Sequence, residues 1–110
     1  MTLSYKMIMA PSAPVRKMLT RRMSFGRPAS EGDPLSSASW GAVLIVHGSI
    51  PDIFYAADVG AKVSPVFVAE VMGNCPQNVV SMAFVGNVAD VKQVLVALEN
   101  EGVVACISAG

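Results

Sequence analysis

The chain has 110 residues, 53% hydrophobic and 15% charged, with a formal net charge of zero. That length fits one domain, and the charge balance sets nucleic acid aside as a main partner. A chain this apolar fills a core and has apolar surface left over, which usually goes into an oligomer interface.

The charges are unevenly placed. Residues 1–34 carry Lys6, Arg16, Lys17, Arg21, Arg22 and Arg27 against Glu31 and Asp33, while residues 35–110 carry Lys62 and Lys92 against six acids. A basic end on a neutral protein points to a charged face or an interaction surface. The N-terminus lacks the uninterrupted apolar run of a secretory signal, and no stretch approaches the roughly 18 apolar residues of a membrane span. Cys75 and Cys106 are the two cysteines, and they read as free thiols or ligands rather than a disulfide framework. One subunit cannot supply four thiolates, so a cysteine-only cluster requires an oligomer.

Residues 3–9, LSYKMIM, alternate loosely and predict a short strand. Ser12 and Pro14 then suit the start of a helix, with Val15, Met18, Leu19 and Met23 at helical spacing and Arg16, Lys17, Arg21 and Arg22 on the other face. This is a basic amphipathic helix ending near Gly26, and a solvated face accounts for its arginines better than membrane binding, because the stretch has no Trp. Residues 26–39, GRPASEGDPLSSAS, have almost nothing to bury and form a linker or flexible loop. WGAVLIVHG, from Trp40, contains the continuous apolar run of a buried strand.

A helix follows. Ser49 and Asp52 have capping-box-like spacing, Pro51 sits in the first turn, Ile50, Ile53, Phe54 and Ala57 share a face, and Asp58 and Lys62 form an i,i+4 pair. PVFVAEVMG and VVSMAFVGN are strands flanking the loop GNCPQN. Asn87 and Asp90 cap a second helix with the core stripe Val88, Val91, Val94, Leu95 and Leu98, ended by Gly102. VVACIS is a last short strand. From Trp40 the order is therefore β-α-β-β-α-β, the ferredoxin-like order of an α+β domain in which two helices cover one face of an antiparallel sheet. The chain divides into a strand-helix (1–25), a loop (26–39) and this core (40–110).

Three segments together resemble bacterial microcompartment shell proteins. YAADVGAKV is similar to the family's Ala-Ala-Asp, three residues, Lys helix. GNVADVKQVL is similar to its second helix entry, with Asn87 where Asp is frequent. WGAVLIVHGSI resembles its opening strand, with His47 and Gly48 in place of Glu-Thr. The likeness runs from about Trp40 to Leu98. The leading strand-helix and the short C-terminal region resemble the circularly permuted subclass, a rearrangement open to chains whose termini lie close together. GNCPQN resembles the corresponding loop of an unusual subgroup, the shell proteins of glycyl-radical-enzyme microcompartments, which are associated with an iron–sulfur cluster.

The resemblance implies a structural protein, not an enzyme. It would form homohexamers that tile with neighbouring hexamers into the shell of a cytoplasmic microcompartment, with encapsulated enzymes as candidate partners and neither nucleic acid nor membrane among them. Gly73, Asn74, Cys75, Pro76 and Gln77 would line the central pore, and Lys62 would lie at the inter-hexamer edge. Cys75 would be the metal ligand, several copies together holding a [4Fe–4S] cluster for electron transfer or cluster transport. Such a cluster takes about four thiolates and so breaks six-fold symmetry. Gly73 and Asn74 tolerate the positive φ that unequal loop conformations need, and Gln77 is placed to donate hydrogen bonds to cluster sulfides or bound water.

Other readings stand beside these. Cys75 serves equally as a small polarizable residue at a metal-free constriction, and the same fold hosts small-molecule sensor domains. Cys106, in an apolar strand, reads as a buried thiol, His47 as a structural histidine and the methionines as adaptable packing. No acid–base pair, nucleophilic triad or phosphate-binding fingerprint stands out.

Overall fold

The computed structural model of the chain describes residues 3–23, 39–71 and 79–104. Its elements are β1 (Ser4–Met9), α1 (Ala13–Met23), β2 (Ala42–Ser49), α2 (Ile50–Val63), β3 (Phe67–Val71), β4 (Val79–Gly86) and α3 (Val88–Asn100). The four strands form one antiparallel sheet in the order β1-β2-β4-β3. The two central strands are almost wholly apolar because both of their faces are covered. On β2, Ala42, Leu44 and Val46 face one side with Met82 and Phe84 of β4, while Val43 faces the other with Ala83 and Val85.

The expected α+β core is present, with α2 and α3 on one face. They pack Ile53, Ala56, Val91, Val94 and Leu98 onto Leu44, Val46 and Phe84. The opposite face is closed by α1, which buries Leu19 and Met23 beside Val43, Ala83 and Val85. The sheet is thus the middle of three layers. Strand β1 takes the edge position beside β2, with Ser4 opposite His47 and Met9 opposite Ala42. In the ferredoxin-like order that place belongs to the strand after the second helix. Here the described end of the chain contributes only an isolated parallel bridge, Leu3 to Val104. The place beside β2 is filled by a segment from the front of the chain; residues 105–110, which hold most of the predicted strand VVACIS, lie outside the described residues.

The helix stripes differ from expectation in two places. In α2 the buried residues are Ile53, Ala56 and Gly60, while Phe54 is 60% exposed and Ile50 39%. The reason is Gly60: a Cβ there would lie 2.3 Å from Cε1 of Phe84, so α2 turns its smallest residues to that ring and Phe54 swings outward. In α1, Met18 is 61% exposed, because Val15, Leu19 and Met23 form a narrow i,i+4 seam that leaves position 18 on its flank. The α3 stripe follows its prediction. Asn87 caps α3, its Oδ1 accepting from the Asp90 N–H at 2.8 Å. At the other end Gly102, with φ of 72°, donates to Glu99 O and Val103 N donates to Leu98 O, each at 3.0 Å. That is a Schellman stop, closed by the apolar residues Leu98 and Val103. Ser49 meets Asp52, but through its side chain: Ser49 Oγ donates to Asp52 Oδ2 at 2.9 Å, and no side-chain bond caps the helix N–H groups.

Candidate functional site

Antiparallel pairing fixes where the β3–β4 connection must leave and return. Strand β3 ends at Val71, opposite Ser81, and β4 begins at Val79, opposite Ser49 of β2. The predicted pore residues Gly73, Asn74, Cys75, Pro76 and Gln77 belong to this connection and lie outside the described residues, as does Cys106. What is described is the sheet end that flanks them. There the register lines up Ser4, His47, Ser81 and Val71 across all four strands. His47 and Ser81 are joined directly, Nδ1 to Oγ at 2.9 Å. His47 is exposed and Ser81 half-buried. Sequence reading left His47 alone because its partner is 34 residues away and only strand pairing brings the two together.

Lys62 lies at the other end of the domain. Helix α2 starts directly after Ser49, beside the flanks of the connection, and its 14 residues carry the chain about 20 Å to Val63, from which it re-enters the sheet at Phe67 opposite Val85. The Lys62 Nζ lies 2.8 Å from Asp58 Oδ2, the two side chains being 74% and 59% exposed. An exposed pair of this kind adds little to stability, a few tenths of a kcal/mol, so the lysine remains open to other partners. Tyr55, also on α2, donates its hydroxyl hydrogen bond to Glu101 beyond the end of α3. That bond, with the negative charge of Glu101, raises the Tyr55 pKa above its usual value.

Among the described residues no three His, Cys, Asp or Glu side chains gather into a group able to hold a metal ion. The connection contributes one thiol per chain. One copy therefore does not fit an iron–sulfur cluster, and the donor set fits only when several copies share it.

No protein-family model matches the chain, and no curated protein matches its sequence. Solved structures do match. The ligand-free GrpU microcompartment shell protein from Pectobacterium wasabiae is 26% identical, with a TM-score of 0.66 over 87% of this chain and 99% of that one. The ligand-free GrpU shell protein from Clostridiales bacterium 1_7_47FAA is 16% identical, with a TM-score of 0.62 over 94% of this chain and 99% of the other, a likeness of fold.

Proposed function

We propose that this chain, a bacterial microcompartment shell protein, builds a homohexameric tile with the GNCPQN connections gathered at its centre and Lys62 at its rim. The observation that carries the reading is the separation of these two features to opposite ends of one domain, with the flanks of the connection at Val71 and Val79 and Lys62 about one α2 length away. A subunit with its two contact features at opposite ends is what a ring that also joins its neighbours needs. The tile would line a compartment in the bacterial cytoplasm.

Cys75 is the one residue of the connection able to bind iron, and copies of it from several subunits would supply the thiolates of a shared [4Fe–4S] cluster. When bound, that group supplies one-electron transfer. Asn74 and Gly73 permit unequal loop conformations around it, and Gln77 offers an amide N–H. The test is anaerobic purification from iron-replete cells, with mass and iron measured on one sample. The expected result is a brown hexamer with iron at roughly four per ring. Cys75→Ser should be colourless with the ring intact, and Cys106→Ser should keep the colour. A colourless wild-type hexamer removes the cluster and leaves the shell reading in place. The second reading, a metal-free pore for small polar metabolites, is favoured by the exposed His47 beside Ser81 at the same sheet end, which offers polar groups whether or not a metal is bound.

A further inference from the structure

The two outer layers of the domain carry opposite charge. On the α1 side stand Arg16, Lys17, Arg21 and Arg22 of α1 together with Lys6, which pairs with Ile45 on the sheet face that α1 covers. No carboxylate among the described residues lies on that side. The α2–α3 side carries all six described carboxylates against Lys62 and Lys92, a net of four negative charges. Glu70 belongs with them, because it pairs with Met82 on the face covered by α2 and α3. Among the described residues, charge is thus polarised across the sheet.

Each face also presents an anchor. On the basic side Met18 is 61% exposed, and Arg21 and Arg22 follow it at helical spacings of three and four, which places them beside it. On the acidic side Tyr55 is 49% exposed. It is held by its hydrogen bond to Glu101, and Asp58 stands three residues along the same helix face. An aromatic ring between two carboxylates suits a guanidinium, which can stack on the ring and bridge to a carboxylate.

We propose that these faces bind each other: the α1 face of one copy docks on the α2–α3 face of a second, with Arg16, Lys17 and Arg21 opposite Asp58 and Glu101 and Met18 against Tyr55. The two surfaces lie on opposite sides of one molecule, so the contact is head-to-tail, and with a rotation that does not close it repeats as a stack. It runs across the sheet, a different direction from contacts made end to end through Lys62, and it depends on neither the pore nor the cluster.

The test is sedimentation velocity of the purified protein at about 0.01 M salt, where charges act over ~30 Å, and at about 1 M, where they act over ~3 Å. The expected result is a species at least twice the mass of the high-salt particle at low salt, dispersing at high salt. Arg16→Glu with Arg21→Glu should lose it, as should Asp58→Lys with Glu101→Lys, and an equimolar mixture of the two variants should regain it. The neutral pair Arg16→Gln with Arg21→Gln, which leaves no repulsion to disturb α1, should weaken stacking at least tenfold. Equal mass at both salt concentrations, or stacking that survives in the variants, overturns the proposal. So does a wild type that stays unstacked while binding polyglutamate through Arg16 and Arg21, which would assign the basic face to an acidic partner instead. A high-salt particle that is still hexameric separates this contact from the ring, whereas dispersal to single subunits would assign these faces to the ring itself and overturns the proposal; iron content plays no part in either result.

Discussion

Gly60 shows how one missing methyl orients a helix. An α-helix interior ordinarily favours alanine over glycine by about 1 kcal/mol, but here a Cβ would press on three atoms of the Phe84 ring, the nearest at 2.3 Å. Phe84 is fully buried and has no room to retreat. Gly60→Ala should therefore destabilise the fold by about 1–3 kcal/mol, read as a lower urea midpoint at unchanged slope. Tyr55 gives a residue-scale prediction in pH. Its folded pKa is raised, first by the hydrogen bond to Glu101 and then by that residue's charge. The protonated phenol is thus favoured by folding. The contribution is fully present below about pH 10, the unfolded value, and is lost as pH rises through the raised folded value. The ultraviolet difference titration of wild type against Tyr55→Phe should have a midpoint above about 10, and Glu101→Gln should lower it. These contacts were illegible in sequence: Tyr55 and Glu101 are 46 residues apart, and no local pattern joins them.

Helix α3 is the element where local signals and tertiary packing agree most fully. Asn87 caps its start, Val91, Val94 and Leu98 line its buried face, and Gly102 stops it, all as the spacing of those residues predicts. A Cβ at Gly102 would meet nothing within 4 Å, and its φ is 72°, so substitution there is purely conformational. Gly102→Ala should destabilise by about 1–2 kcal/mol, measured by thermal melting. Helices α1 and α2 were legible as helices but not in their facing. Arg21 and Arg22 in the last turn of α1 complement its dipole, yet nothing local says that the helix closes the second face of the sheet. In α2 the apolar residues Ile50 and Phe54 suggested a buried stripe. The approach to Phe84 decided otherwise, because contact distance and not hydrophobicity sets which side of a helix can come close.

For the whole molecule, Lys62 is the residue whose proposed role belongs to assembly. Its pair with Asp58 is exposed on both sides and contributes little to folding. Lys62→Ala should leave the urea midpoint within about 0.5 kcal/mol of wild type and the ring assembled, while sheets seen by electron microscopy are lost or disordered. Unchanged sheets would place the rim contact elsewhere. The same scale holds the sheet topology. Strand β1 at the edge beside β2 puts the front of the chain where the ferredoxin-like order places its last strand, which is the arrangement a permuted order calls for.

The amino-acid pattern by itself determined the element sequence from Trp40 to the end of α3, the capping of α3, the Asp58–Lys62 pair and the likeness to shell proteins, because periodicity, caps and i,i+4 neighbours are written within a few residues of one another. Only the tertiary structure decided which strand fills the sheet edge, which face α1 covers, how α2 is turned and that His47 meets Ser81. Those features depend on pairings between residues far apart in the chain, and they are selected by close packing and strand register, neither of which any short window of sequence contains.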